Sequence, residues 1–84
     1  MAGPRLAAAA SHEAGHAAMA LRLGRQVERV AIHDNHSGTC RVAAPAYART
    51  AANARRAQRE TLLIVLAGDL VEQAPEPIRA WWRL

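Results

Sequence analysis

The chain reads as an α+β, mostly helical domain, and three observations predict this. An alanine-rich helical stretch carries His12-Glu13-Ala14-Gly15-His16, a segment of alternating β-branched residues with a turn follows, and a second long helical pattern runs from about residue 50 to Gln73. The expected order is a helix bearing an H-E-x-x-H pattern, a β-hairpin, and a second long helix packed on the first. With 84 residues there is room for one hydrophobic core, so residues 1–84 are expected to form a single small domain.

Gly3-Pro4 makes a helix start, because proline at the first helical position gives up no needed hydrogen bond, and Gly24 is a natural stop. The first helix is therefore expected over Pro4 to Leu23. Leu6 to Ala10 on one side of the motif and Ala17 to Leu21 on the other make it apolar nearly all round, which suggests a buried element. Gly15 inside such a helix should cost about 1 kcal/mol relative to alanine. It marks either a close approach of another backbone or simple tolerance of glycine in a long helix.

From Gln26 the period changes, since Val27 to Ile32 alternate and β-branched residues replace alanine. A strand is expected over Gln26 to His33, followed by the turn formers Asp34-Asn35-His36-Ser37-Gly38 and a return strand Thr39 to Val42 that Pro45 ends. His33 and His36 flank the turn, where histidine is usually solvated. Cys40 fits a small strand residue better than a metal ligand. As the only cysteine it forms no internal disulfide, so no oxidising compartment is implied and a cytoplasmic location is expected.

Thr50 and Asn53 are both candidate N-caps for the second helix. Its first half is polar, whereas Leu62 to Leu66 is apolar all round, as expected where a helix enters a core; Pro75 stops it. Asp69 and Glu72 lie three residues apart on one face of that apolar half, and buried carboxylates need partners. The tail to Leu84 carries Trp81 and Trp82, which could fold back over the core.

The chemistry is concentrated in the first helix. Residues four apart on a helix are separated by about 40° around the axis and roughly 6 Å along it, so the imidazoles of His12 and His16 can converge on one ion. Glu13, beside the first of them, can take a proton from a metal-activated water and deliver it to a leaving amine. The pattern points to a zinc metallopeptidase with His12 and His16 as metal ligands, Glu13 as the catalytic base, Zn2+ as cofactor and a polypeptide as substrate.

The net charge of +4 comes with eleven arginines and no lysine. They are spread from Arg5 to Arg83 with only Arg55, Arg56 and Arg59 clustered, so no nucleic-acid interface is expected. No apolar run approaches the roughly 20 residues of a membrane span. An oligomer is compatible with all of this.

Helix with His12-Glu13-Ala14-Gly15-His16-Ala17, hairpin with Val27-Glu28-Arg29-Val30-Ala31-Ile32, helix ending Leu66-Ala67-Gly68-Asp69-Leu70-Val71-Glu72: this succession, from about Ala9 to Gln73, resembles the zinc peptidase domain of the FtsH family of AAA+ proteases. The resemblance implies a zincin-like fold in which a sheet edge binds substrate backbone by strand addition, with His12 and His16 as zinc ligands and Glu13 as base. In that family the third ligand is an aspartate beyond the helix matching Leu62 to Gln73. Here Pro75 to Leu84 contains no aspartate, and the chain carries neither an ATPase module nor a membrane span. It is therefore expected to be a stand-alone or truncated relative. Asp69 and Glu72 are the local candidates to complete the zinc shell or to hold the second nitrogen of a histidine, the alternative being pairing with Arg22 or Arg25. The second functional reading is a peptidase-like module without activity that acts in protein–protein binding.

Overall fold

The computed structural model describes residues 4–33 and 37–73. Two helices and a hairpin follow one another: α1 (Pro4–Arg22), β1 (Val27–Ile32), β2 (Gly38–Val42) and α2 (Ala51–Gln73). Both helices and both strands lie within a residue or two of the expected bounds. His36 and the tryptophan tail lie outside the described residues.

Local chemistry explains the ends of each element. At the C-terminus of α1, Gly24 takes the left-handed conformation with φ of 75°. That turn lets the Arg25 amide donate to the Ala20 carbonyl at 2.8 Å and the Gly24 amide to the Leu21 carbonyl at 3.0 Å, so carbonyls orphaned at the helix end are satisfied. At the start of α2, Thr50 is the cap: its Oγ1 accepts from the Asn53 amide at 3.2 Å and its carbonyl from the Ala54 amide at 2.8 Å.

The hairpin is antiparallel, with Val30 opposite Cys40 and Ile32 opposite Gly38, and an irregularity between Val27 and Arg29 leaves Glu28 as an extra residue. Both strands pack on α1, and α1 packs along α2. The α2 face turned to α1 carries Glu60, Ile64, Ala67 and Gly68, the i, i+4, i+7, i+8 spacing of one helical stripe.

Two expectations about burial are corrected. The α1 helix is largely half-buried, with Ser11, Glu13, Gly15 and Ala20 buried. In α2 only Ile64 and Ala67 of the apolar half join the core, while Leu62, Leu63, Val65, Leu66 and Leu70 are 46–68% exposed. Among the described residues α2 packs mainly on α1, and a helix packed on one neighbour buries one stripe whatever its composition, so the remaining apolar residues are exposed. No helix among the described residues is long and apolar enough to cross a membrane.

The buried ion pair of the fold lies apart from the two helical carboxylates. Arg25 and Glu60 are both buried, with Nη1 3.6 Å from Oε1, and Arg56 adds a second cation 3.4 Å from Glu60 Oε2. The Tyr47 hydroxyl donates to Glu60 Oε1. Arg25 also donates through Nε and Nη2 to the Ala43 carbonyl, each at 3.2 Å, and so ties the end of the hairpin to α2. The Tyr47 hydrogen bond, aided by the two guanidinium groups against the cost of burial, holds the Glu60 carboxyl below its ordinary pKa.

Candidate metal centre

Helical spacing brings His12 and His16 onto one face of α1, and α2 then orients both rings. The Nδ1 of His16 lies 2.6 Å from the Ile64 carbonyl. A carbonyl can only accept, so Nδ1 carries the hydrogen and Nε2 presents its lone pair. The Nδ1 of His12 lies 2.9 Å from Glu72 Oε2 and 3.4 Å from Asp69 Oδ1, so hydrogen bonding to ionised Glu72 places the hydrogen on Nδ1 there too. The two Nε2 atoms face each other at 2.9 Å with the rings at 88°.

Two neutral imidazoles in these tautomers would point lone pair at lone pair. Only a proton or a cation between them turns that contact into attraction, which is the chemistry expected of two metal ligands with their rear nitrogens held by acceptors. Nitrogens bound at roughly 2.0–2.1 Å to one ion stand no more than about 4 Å apart, a condition this pair meets. Glu13, 4% exposed, completes the group, with Oε1 3.8 Å from His16 Nε2.

Asp69 and Glu72 sit behind His12, on its Nδ1 side, and not on the side where the Nε2 atoms converge. Neither pairs with Arg22 or Arg25 in the structure, since Arg25 is engaged by Glu60. They are also not the buried carboxylates expected: Asp69 is exposed and Glu72 half-buried, because they lie at the margin of the α1–α2 contact.

Glycines make the arrangement sterically possible. A Cβ on Gly15 would stand 2.6 Å from the Ala67 carbonyl oxygen, so the close backbone approach is what this glycine serves. A Cβ on Gly68 would stand 2.6 Å from His16 Nε2; without it, the imidazole lies against α2 and reaches the carbonyl of the preceding turn, that of Ile64. Across the site, a Cβ on Gly38 would stand 2.6 Å from Glu13 Oε2, so β2 can lie directly over the carboxylate. The close approaches at Gly68 and Gly38 escaped the sequence reading, which took Gly38 only as a turn former. For Gly68 the available signal was an isolated glycine within an otherwise helical run, which often marks close packing.

The remaining candidates lie elsewhere. His33 reaches Thr39 Oγ1 at 2.9 Å at the turn end of the hairpin. Cys40 is half-buried, and burial first, then the Glu13 charge, push its thiol above the ordinary value, which disfavours the thiolate a metal would need. Among the described residues it joins no group of potential ligands.

Comparison with curated proteins and with solved structures returns no match. The family model described as Peptidase M50B-like matches residues 3–55, covering α1, the hairpin and the start of α2, and stops short of Ile64, Gly68, Asp69 and Glu72. A metallopeptidase-like match over the helix that presents His12, Glu13 and His16 agrees with the chemistry of their geometry, and with more than half of its length matched, the chain belongs to the Peptidase M50B-like family.

Proposed function

We propose that this chain is a zinc-dependent metallopeptidase module, with residues 1–84 acting as one domain, His12 and His16 as zinc ligands and Glu13 as the base that hydrolysis of a peptide bond requires. The observation that carries the reading is the opposition of the two Nε2 atoms at 2.9 Å while both Nδ1 atoms are taken by acceptors from α2. Held by His12 and His16, zinc would supply Lewis-acid chemistry, polarising a peptide carbonyl and acidifying a water. Glu13 would serve as the base toward a water there and hand the proton to the leaving amine; its carboxylate is buried, with Gly38 lying over it. Glu72 and the Ile64 carbonyl hold the rings in position. Each hairpin strand has one edge without a partner strand among the described residues, which suits a polypeptide substrate bound by strand addition, the mode that an FtsH-like peptidase domain implies.

A second reading, a peptidase-like module that binds a protein partner without cleaving it, is favoured by one observation. Catalytic zinc sites ordinarily have three protein ligands, and Asp69 and Glu72 stand on the wrong side of His12 to supply the third. Zinc content measured together with cleavage of an unstructured polypeptide decides between the two. Zinc with cleavage supports the peptidase, zinc without cleavage supports the binding module, and a chain that takes up no zinc overturns the metal site and the peptidase reading with it.

A further inference from the structure

The face of α2 turned away from α1 carries Leu62, Leu66 and Leu70, four residues apart, with Leu63 three residues before Leu66, each of the four 46–68% exposed. Such spacing makes a seam against another helix, as in a coiled coil. Apart from the buried Glu60, the charges along α2 are divided: Arg55, Arg56 and Arg59 occupy its N-terminal half, Asp69 and Glu72 its C-terminal half. Arg55, Arg59 and Asp69 are exposed beside or within the apolar stripe.

We infer that this face pairs with the same face of a second copy, the two α2 helices running antiparallel. Charge complementarity selects both the partner and the direction. An antiparallel register that sets Leu62 against the partner's Leu66 also sets Arg59 against the partner's Asp69, because Arg59 precedes Leu62 by the same three residues by which Asp69 follows Leu66. Two-fold symmetry repeats both contacts, so one helix supplies a self-complementary surface. In parallel pairing the arginine-rich halves would lie together, as would the acidic halves, and the helix dipoles would add unfavourably. The leucines lie away from the Ile64 and Gly68 stripe that packs on α1, while Asp69 stands at the edge of the face, 3.4 Å from His12 Nδ1.

The test is sedimentation equilibrium of the whole chain across micromolar concentrations, with circular dichroism to confirm helicity. The wild type should show a monomer–dimer equilibrium that Leu66→Glu abolishes while helicity is retained. Arg59→Glu should weaken the dimer by about tenfold, as expected for losing a contact and gaining a like-charge one twice over, and Arg59→Glu combined with Asp69→Arg should restore it. A wild type that is monomeric throughout overturns the proposal. If such a monomer also unfolds at lower temperature with Leu66→Glu, the stripe is covered within its own chain. A dimer indifferent to Arg59→Glu, or one that the double variant fails to restore, overturns the antiparallel register.

Discussion

The Nε2 atoms of His12 and His16 meet at 2.9 Å because α2 holds each ring from behind, His12 through Glu72 and His16 through the Ile64 carbonyl. Two nitrogens so placed need a proton or a cation between them, and a metal ion is the occupant proposed above. The purified protein should therefore carry about one zinc per chain, a stoichiometry that follows from a single pair of converging imidazoles. Elemental analysis of the wild type against the His12→Ala, His16→Ala double variant checks it, and equal zinc in the two would remove the metal site.

Glu13 is buried beside the two nitrogens, with Gly38 lying over its carboxylate. Glu13→Gln should retain the zinc and lose peptidase activity, by roughly 10²-fold or more, since the amide hydrogen-bonds water without accepting its proton. Activity that persists in this variant would exclude the general-base role; zinc lost along with activity would make Glu13 a structural residue.

Glu72 and Asp69 differ in their distance from His12 Nδ1, 2.9 Å against 3.4 Å. Glu72→Gln should accordingly lower zinc affinity by about 10-fold or more, the usual scale for losing an acceptor behind a metal-bound histidine, with Asp69→Asn the milder change. Competition with a chelator reads both. Unchanged affinity in both variants would mean that His12 needs no support from α2.

Gly68 lies against the His16 ring, where a methyl group would overlap the imidazole. Gly68→Ala should displace the ring from the Ile64 carbonyl, destabilise the α1–α2 contact by about 1–3 kcal/mol and weaken zinc binding with it. Thermal unfolding with and without zinc measures both effects. A variant as stable and as zinc-competent as the wild type would show that α1 and α2 separate without cost at this point.

The Glu60 carboxyl is held below its ordinary pKa chiefly by the Tyr47 hydroxyl, with Arg56 and Arg25 adding to the effect. A depressed folded-state pKa contributes stability that is present above the unfolded carboxylate value and is lost as pH falls through the folded one. The same hydrogen bond raises the Tyr47 pKa, so its contribution is present below the ordinary tyrosine value and is lost as pH rises through the raised one. Melting temperature should fall at both extremes, and Glu60→Gln should flatten both arms of the profile. An acid arm of equal slope in Glu60→Gln would assign the acid sensitivity to other carboxylates.

Much of the molecule was legible residue by residue. The i, i+4 spacing of His12 and His16 dictates that they share a helix face, Gly24 and Thr50 cap the helices as their chemistry demands, and the alternation in Val27 to Ile32 places the hairpin. These are local properties, governed by backbone geometry over a few residues. The rest depended on which surfaces met. Glu72 approaches His12 across 60 positions of chain and the Ile64 carbonyl approaches His16 across 48, so nothing local distinguished Glu72 behind a histidine from Glu72 paired with an arginine. Composition likewise marked Leu62 to Leu66 as core, yet among the described residues α2 packs mainly on α1 and buries a single stripe, leaving four leucines outside it. Sequence alone set the helices, the turn and the two facing imidazoles, while the packing of α2 on α1 decided their tautomers, seated Glu13 under Gly38 and chose Glu60 as the partner of Arg25, because those outcomes turn on contacts that exist only once the chain has folded.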